Sequence, residues 1–491
     1  MTAVASGGRR IEAGGHLVEE RPLRHPDVES ERFMTRRGWW LVVLNFLIPG
    51  SAQALSGNRR LSKVGLGATL IMWSLVVIAA VLALVWRTAL LTVLVADLSL
   101  FGLFTIKAPV LLLLEVLFVA YLVLWIVLTI DTLRLVRLVK TGPRARFGIA
   151  LLSVALLVVS GTVTAGATSK VASLHGGLAS IFQASAPLAP PSDGYYNILL
   201  LGADSGKGRD SMRFDSISVV SVNADTGRVT ITGIPRDLEG FPFSKDSPMR
   251  ELYPGLHTGH RSATCGWTAA INQLNTELDV CRDGSKIYPD AEKQGSTPGV
   301  EATKDAAEGL LGITIPYYAF IDMAGFAALV DALGGVEITV TERLPEGGGP
   351  KYEGEPVDKW ATGWIEKGKQ HMDGNTAQWY ARSRKTTSDW DRMKRQRQLQ
   401  EAILKQFTPA TVLSRFEEIM KAGEHLVKTD IPSQMLPAFA DLAIKAKGEK
   451  VTTIELTPAS NVSQTAPDLG YVHSLVEKAL HPATASPSPK G

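Results

Sequence analysis

The sequence is poor in charge, in aromatic residues and in cysteine. Of its 491 residues, 20% are charged, 7% are aromatic and two are cysteines, while the formal net charge is only +3. A nucleic-acid-binding protein normally needs a clustered basic face, so this near-neutral balance argues against nucleic acid as a partner. No long polar tract is present and the mean hydropathy is +0.10, which argues against a disordered or fibrous protein. The length corresponds to two or three domains.

Hydrophobic residues, by contrast, make up 45% of the chain and are concentrated between residues 39 and 170. Three apolar runs are long enough to cross a bilayer core of about 30 Å as helices, and they cover residues 64–86, 108–130 and 147–170. Two further apolar segments, 39–55 and 89–106, are interrupted by Pro49-Gly50 and by Asp97. Each of these two predicts either a short span or a re-entrant segment.

The basic residues around these runs predict the orientation. Five of them lie in the loop 131–146 against the single acid Asp131, so this loop is expected on the cytoplasmic side. Basic residues also flank both ends of segment 39–55, which favours a re-entrant hairpin there. Three crossings then place everything after residue 170 outside the cell, as in a multi-pass cell-membrane protein. A cleaved signal peptide does not fit, because the apolar region is too long and too far from the N-terminus.

Composition divides the chain into five parts. We expect a cytoplasmic tail, a transmembrane region, a linker rich in proline and small residues, an extracytoplasmic domain and a disordered Pro/Ser tail, at residues 1–38, 39–170, 171–194, 195–480 and 481–491. The extracytoplasmic domain is long enough to bury a large core alone.

Short aliphatic and β-branched runs alternate with helical periodicity in the extracytoplasmic domain. The runs predict strands at residues 197–202, 216–223, 229–234 and 336–340. The periodicity predicts helices at residues 303–311, 323–333 and 390–407. This pattern indicates an α/β or α+β fold with a central mixed sheet flanked by helices.

Both cysteines, Cys265 and Cys281, lie in the extracytoplasmic domain. In an oxidising compartment we expect them to pair, closing a loop of about 17 residues and contributing roughly 3 kcal/mol in the chain-entropy model. The alternative is two free thiols or a metal pair, although no further cysteine is present to complete a zinc site. His257, His260 and His371 have too few partners for a metal site, so we interpret them as structural or surface residues.

The loop after the first predicted strand, residues 202–210, superficially resembles a phosphate-binding loop. It fails as a Walker motif because its spacing is one residue short and Lys207 is followed by Gly208 instead of Ser or Thr. What remains is Asp204 at the C-terminal end of a buried strand, where sheet enzymes often place functional groups. The alternative is a turn aspartate that binds local amides.

Acids and arginines also follow or precede the next two strands. Arg213 and Asp215 lead into the second strand, and Arg236 and Asp237 follow the third. If the strands are neighbours, these four residues and Asp204 lie close together. Paired carboxylates suit Mg²⁺, or Mn²⁺ in its place, and arginine forks bind phosphate oxygens. Taken singly, each Arg–Asp pair is equally compatible with a surface ion pair.

The segment before and along the last predicted helix is densest in arginine. Arg382 and Arg384, two residues apart, are predicted to lie on the same side of an extended segment. Arg392 and Gln396 share one face of a helix opened by Asp389, near an N-terminal end that favours anions. The alternative is a solvated helix face. Together with the acids described above, these arginines instead indicate a pyrophosphate site.

Several segments, in order and spacing, resemble the LytR-CpsA-Psr family, namely NILLLGAD, RFDSISVVSVN, ITGIPRDL, YYAFIDMAGFAALVDALGGVEI and GKQHMDGNTAQWYARSR through DWDRMKRQRQ. The resemblance covers residues 195–407, with a weaker continuation to 480. It implies a membrane-anchored transferase that moves a glycopolymer from a polyprenyl pyrophosphate carrier onto peptidoglycan through a phosphodiester bond.

The resemblance also implies roles for individual residues. Asp204 and Asp215 match the acids that hold Mg²⁺ on the pyrophosphate. The groups implied around its oxygens are Arg213, Arg236, Arg382, Arg384, Arg392 and Gln396. Asp237 is expected to orient Arg236 and is the candidate general base. Two departures from the family pattern, Phe214 and Leu238, remove no charged group.

A carrier lipid also needs an apolar tunnel, which we expect around Leu310–Leu311 and Phe326–Leu333, unless these residues are plain core. Two other functions stay open on the sequence. Water in place of the acceptor hydroxyl would make a polyprenyl-pyrophosphate phosphatase. A protein without turnover would be a binder or regulator of lipid-linked polymers.

Overall fold

The computed structural model describes residues 23–24, 26–56, 58–96, 98–100, 104–106, 108–181, 187–203, 213–347, 349–383, 385–406, 415, 418–419, 422, 427–446 and 448–482. Two predicted site residues, Asp204 and Arg384, and most of the predicted C-terminal tail lie outside these ranges. The chain forms two compact units, one of Met1–Leu90 and Pro109–Ala172 and the other of Leu91–Ala108 and Ser173–Gly491.

The N-terminal part of the chain is helical. Its helices are α1 (Glu31–Leu47), α2 (Ser51–Ser56), α3 (Arg59–Val85), α4 (Arg87–Val95), α5 (Pro109–Val136) and α6 (Pro143–Ile181). Within the described ranges, three helical segments are long and apolar enough to cross a membrane. They correspond to α3, to α5 with the turn that follows it, and to most of α6, at Arg59–Val85, Pro109–Lys140 and Pro143–Gly177. They coincide with the three predicted spans, while the crossing itself stays a prediction. Helix α6 continues to Ile181, into residues that composition assigned to the linker.

The two ambiguous apolar segments are not continuous helices. In segment 39–55, α1 and α2 are separated by a turn at Gly50, whose φ is 97° and where an added Cβ would lie 2.6 Å from the backbone nitrogen of Leu66. In segment 89–106, α4 ends at Val95, and two short antiparallel strands follow, β1 (Leu98–Leu100) and β2 (Phe104–Ile106). Insertion of either segment into a membrane stays a prediction.

A six-stranded mixed sheet forms the centre of the second unit, as the sequence predicts. Its strands, in spatial order, are β11 (Val427–Thr429), β6 (Tyr317–Asp322), β3 (Tyr195–Ala203), β4 (Phe214–Asn223), β5 (Val229–Ile234) and β12 (Thr452–Glu455). Strands β3, β4 and β5 form an antiparallel meander, whereas β6 is parallel to β3 and β12 is parallel to β5. The three strands predicted to be neighbours are therefore neighbours.

Helices cover one face of this sheet, here called the first face, and the main core lies between these helices and the sheet. These helices are α7 (Met249–Leu252), α8 (Pro298–Leu311) and α14 (Leu469–Leu480). Strand β3 alternates between buried and partly buried residues, and it sends Leu199 and Leu201 into the main core. Helix α8 begins five residues before its predicted start because the Thr297 side chain caps it and proline is favourable in the first turn.

A second, smaller core lies beside the other face of the sheet. It is built from two strand pairs, β7 (Val336–Val340) with β10 (Gly368–Met372) and β8 (Leu344–Glu346) with β9 (Gly363–Ile365). The helices of this part are α9 (Met323–Ala332), α10 (Val357–Trp360), α11 (Gly374–Arg382) and α12 (Asp389–Gln406), and α13 (Leu436–Ala446) follows later in the chain.

Cys265 and Cys281 form a disulfide, with their Cα atoms 6.0 Å apart, as the sequence predicts. The histidines are also structural or exposed as expected. His257 is fully buried among aromatic rings, and His371 is exposed and contacts Glu337.

Candidate active site

Because β3, β4 and β5 run antiparallel, the C-terminal ends of β3 and β5 lie beside the N-terminal end of β4, at one end of the sheet. Ala203, the last residue of β3, pairs with Phe214 at the start of β4, and Ile217 in β4 pairs with Ile234 at the end of β5. This register brings the segment around Asp215 and the Pro-Arg-Asp segment after β5 to the same end of the sheet. The predicted clustering of Asp215 with Arg236 is therefore present.

Arg236 is the centre of this cluster. Its Nη1 lies 2.5 Å from Asp215 Oδ1, its Nε lies 3.4 Å from Asp237 Oδ2, and its Nη2 lies 3.7 Å from Asp389 Oδ1. Burial alone lowers the pKa of Arg236, but the charges of Asp237, Asp389 and Asp215 outweigh it and raise the pKa. The guanidinium is thus a permanent cation whose position is fixed by three carboxylates.

Helix α12 supplies a second arginine to the same end of the sheet. A capping box begins the helix, since Ser388 Oγ accepts from the Asp391 amide and Asp391 Oδ2 accepts from the Ser388 amide. Arg392, whose side chain is only 6% exposed, donates from Nη2 to the Asp215 carbonyl at 3.4 Å and to Asp389 Oδ2 at 3.1 Å. Gln396 lies one turn further along and donates to the Ala381 carbonyl. The predicted shared face of Arg392 and Gln396 is confirmed.

A cavity of about 570 Å³ lies between the second face of the sheet and helices α9, α11 and α12. Its charged and polar lining includes Asp215, Arg236, Arg382, Lys385, Arg392 and Gln396. Its apolar lining includes Leu200, Val220, Ile321, Phe326, Leu329, Leu399, Ile403 and Leu404.

The two kinds of lining residue are separated along the elements that carry them. Asp215 stands at the sheet edge, and Val220 lies five residues further along β4, about 17 Å away at the usual rise of a strand. On α12, Arg392 and Leu404 are twelve residues apart, or about 18 Å. Along β4 and α12 the lining therefore changes from charged near the strand termini to apolar deeper along the sheet, while α9, which begins just after Asp322 at the same strand termini, adds Phe326 and Leu329.

Not every predicted site residue reaches this cavity. Arg213, which precedes β4 and is exposed, is outside the cavity lining, and so is Asp237, which contacts Arg236. Arg382 does line the cavity, but it does so as the last residue of helix α11 and not from an extended segment, and its predicted alignment with Arg384 lies outside the described residues. The Asp373 side chain caps this helix and helical geometry continues to Arg382, whose guanidinium carbon lies 5.4 Å from the centre of the Trp379 ring.

The residues predicted to line a lipid tunnel divide between the cavity and the main core, and lipid binding itself stays a prediction. Phe326 and Leu329 line the cavity, whereas Leu310 and Leu311 are buried in the main core together with Leu199 of β3. The helical periodicity of both segments reveals an apolar face, but it does not reveal which layer of the fold that face contacts.

Three functional or supporting residues were missed by the sequence reasoning. Asp389 was named only as the start of a helix, yet it contacts both Arg236 and Arg392. Arg395 is buried and donates from Nε to the Tyr380 carbonyl at 3.0 Å, and Arg397 is buried and donates to Ser216 Oγ at 3.4 Å. Arg395 and Arg397 thus connect α12 to neighbouring elements and are not part of the cavity lining.

The fold and the cavity define an α/β protein with a site that is charged at one end and apolar at the other. The sequence model of the LytR_cpsA_psr family matches residues 162–240 and 271–481. The chain belongs to the LytR-CpsA-Psr family, as its motifs indicated.

The chain spans about three fifths of the length of the first curated relatives that it matches. The polyisoprenyl-teichoic acid–peptidoglycan teichoic acid transferase TagU of Halalkalibacterium halodurans is 29% identical over 238 residues, which cover 48% of this chain and 61% of TagU. The cell wall biosynthesis protein LcpA of Corynebacterium glutamicum is 24% identical over 379 residues, which cover 70% of this chain and 67% of LcpA. Among solved structures, B. subtilis TagV is similar over 58% of this chain and 97% of TagV, with 22% identity and a TM-score of 0.39.

Proposed function

We propose that this protein transfers a glycopolymer from a polyprenyl pyrophosphate carrier to peptidoglycan, forming a phosphodiester bond. The observation that carries this proposal is the cavity, because a charged end continuous with an apolar end fits a ligand that is an anion at one end and a lipid at the other. The names of the relatives TagU and LcpA, which denote teichoic acid transfer to peptidoglycan and cell wall biosynthesis, support the same function.

The arginines of the charged end are suited to a pyrophosphate. Arg236, Arg382 and Arg392 all line the cavity, and guanidinium groups bind phosphate oxygens in a bidentate manner. Arg236 and Arg392 are held in place by carboxylates before any ligand binds, so little reorganisation is required when negative charge builds on the leaving oxygen.

Asp215 is the described residue best suited to a divalent cation. Its side chain is 37% exposed and lines the cavity, and its carboxylate is the oxygen donor type that Mg²⁺ or Mn²⁺ prefers. Asp204, the second acid of the proposed pair, follows Ala203, which pairs with Phe214 beside Asp215. When bound, the cation would neutralise charge on the pyrophosphate.

The chemistry at the charged end is a displacement at phosphorus. A hydroxyl of a peptidoglycan sugar attacks the sugar-bearing phosphorus, a new P–O bond forms, and the bridging P–O bond to the polyprenyl phosphate breaks. The hydroxyl proton passes to a general base, for which Asp237 is the candidate, because its carboxylate is 56% exposed and contacts Arg236 at the rim of the cavity lining. Arg236, Arg382 and Arg392 stabilise the departing polyprenyl phosphate.

The apolar end would hold the first isoprene units of the carrier. Phe326 and Leu329 from α9 and Leu399 and Ile403 from α12 line the cavity, and Phe326 and Ile403 pack against the same hydrophobic core that contains Leu399. Each buried CH₂ group contributes about 0.8 kcal/mol, so even a few isoprene units add substantial affinity without adding specificity for the sugar. We further propose that the three apolar helices span the cell membrane and that the sheet unit lies on its outer side.

The test is turnover by the full-length protein in lipid nanodiscs with Mg²⁺, a lipid-pyrophosphate oligosaccharide and peptidoglycan fragments. A linked product supports the transferase, a free glycan phosphate would instead indicate hydrolysis, and an unchanged bound carrier would indicate a binder. Arg236→Ala and Arg382→Ala should each abolish most turnover. Arg250→Ala is the matched control, because Arg250 is exposed and lies outside the cavity lining. If the first two variants keep wild-type turnover, the assignment of the site is wrong.

A further inference from the structure

A cluster of metal-ligating side chains lies in the sheet unit, away from the cavity. Asp193, Glu477 and His481 each place one ligand atom within 4.8 Å of the others, and His481 Nε2 lies 2.7 Å from Asp193 Oδ2. Within the described residues, no other three His, Cys, Asp or Glu side chains converge in this way. The cluster lies near the start of β3, whereas the charged end of the cavity lies at its far end, about 26 Å along the strand.

One of the three ligands, His481, is positioned by contacts that do not depend on a metal. Tyr195 donates from its hydroxyl to the Leu480 carbonyl, and its ring meets the His481 imidazole edge-on with centroids 5.5 Å apart. The His481 amide donates to the Glu477 carbonyl, which places both side chains at the C-terminal end of α14. The imidazole is therefore presented to Asp193 by the fold itself.

The donor set selects the class of ion. One imidazole nitrogen and two carboxylates leave a net charge of −2 when the imidazole is neutral, and a divalent cation relieves this repulsion. An imidazole ligand favours Zn²⁺ and related transition metals over Mg²⁺ and Ca²⁺, which prefer oxygen donors throughout. Three protein ligands and one open position are typical of a zinc site that keeps a water molecule.

The observed distances are close to those that zinc requires. With metal–ligand bonds of about 2.0–2.2 Å, tetrahedral ligand atoms lie about 3.3–3.6 Å apart. The 2.7 Å contact between His481 and Asp193 must open by less than 1 Å, and the widest separation must close by less than about 1.5 Å. Both carboxylates and the imidazole are exposed, so rotation of the side chains suffices.

We propose that Asp193, Glu477 and His481 form a Zn²⁺ site that joins the segment entering the sheet to the C-terminal end of α14. The residues it would link, Asp193 and His481, are 288 positions apart, so the ion would close the sheet unit where its chain begins and ends.

The test is a calorimetric titration of the metal-free, full-length protein in detergent with ZnCl₂ alone, in a buffer containing millimolar Mg²⁺ to occupy all-oxygen sites. We expect one Zn²⁺ per chain that Mg²⁺ does not displace. His481→Gln and Asp193→Asn should each weaken binding by at least about tenfold. His473→Gln is the matched control, because His473 is an exposed histidine of the same helix and is outside the cluster.

A second measurement keeps the proposal falsifiable if a variant is poorly folded. Zn²⁺ should raise the thermal unfolding midpoint of the wild type and of His473→Gln but not that of His481→Gln, with matching far-UV circular dichroism for all three. Absence of Zn²⁺ binding in the wild type, or equal affinity in His481→Gln and the wild type, overturns the proposal and leaves Asp193 and His481 as an ion pair only. Neither outcome bears on transferase turnover, which the variants at Arg236 and Arg382 test separately.

Discussion

The buried ion pair between Arg397 and Glu455 gives the sharpest prediction about stability. The Arg397 side chain is only 4% exposed, and its Nε lies 3.5 Å from Glu455 Oε1. The Glu455 carboxylate packs against the backbone of Gly233, and a Cβ added at Gly233 would be 2.2 Å from Glu455 Oε2. Burial raises the pKa of Glu455, and the charge of Arg397 opposes that rise. Each of these charges thus depends on the other to remain in the interior.

Arg397→Met would remove the guanidinium and leave the Glu455 carboxylate buried without its cation. Removing one partner of a buried pair typically costs about 3–5 kcal/mol. Glu455 can relieve part of this cost by taking a proton, because its pKa then rises further above that of the unfolded chain. The stability lost is therefore small near pH 4.5 and grows as the pH rises towards 8. Arg397→Met/Glu455→Gln removes both charges and should restore most of the loss.

Hydrogen exchange of the full-length protein in nanodiscs measures this effect locally. Peptides from α12 and β12 should lose protection in Arg397→Met, more at pH 8 than at pH 6, and regain it in the double variant. Lys405→Met is the matched control, because Lys405 is exposed on the same helix and pairs with Glu401, an arrangement worth under about 1 kcal/mol. A loss below about 1 kcal/mol for Arg397→Met, or equal losses in the single and double variants, would refute the reasoning.

Three further predictions concern other parts of the sheet unit. Burial lowers the pKa of His257 to about 4, so its imidazole should stay neutral in histidine NMR spectra down to pH 5. Because the unfolded chain takes up the proton at a higher pH, about 3 kcal/mol of the free energy of unfolding should be lost between pH 6.5 and 4. Titration of His257 near pH 6.5 would contradict this. Cys265→Ser/Cys281→Ser should lower the free energy of unfolding by about 3 kcal/mol, measured by urea denaturation, and an unchanged midpoint would show that the disulfide is dispensable. Leu329→Trp should fill part of the apolar lining of the cavity and raise KM about tenfold, or about 1.4 kcal/mol, for carriers with long prenyl tails only. An equal effect on short-tailed carriers would place the lipid elsewhere.

The local part of the fold could be predicted from the sequence, because local signals determine it. Strands β3, β4 and β5 form a meander, and the turn from β4 to β5 is encoded by Asp225-Thr-Gly227, with Gly227 at a φ of 75°. Their adjacency was enough to place Asp215 near Arg236. By contrast, β12 joins β5 from more than two hundred residues away, and no periodicity in either segment indicates that pairing.

The candidate site was predictable in composition and only partly in arrangement. The run from Arg392 to Arg397 reads as four basic residues with equivalent chemistry, yet Arg392 lines the cavity while Arg395 and Arg397 are buried against the rest of the fold. Their separate roles depend on partners elsewhere in the chain, such as Ser383 and Glu455. Burial of a charged side chain is therefore a property of the assembled structure and not of the motif that contains it.

The position of β12 at one edge of the sheet has a consequence for synthesis. Residues 452–455 complete the sheet, and the Tyr195 hydroxyl is bonded to the carbonyl of Leu480, so the start and the end of the sheet unit must meet before folding is finished. A nascent chain that has reached only residue 450 exposes the backbone of β5 as an open edge, which other strands can join. Contacts of such long sequence separation also form slowly. Premature termination near the C-terminus should thus produce aggregation-prone chains, although every proposed catalytic residue has already been made.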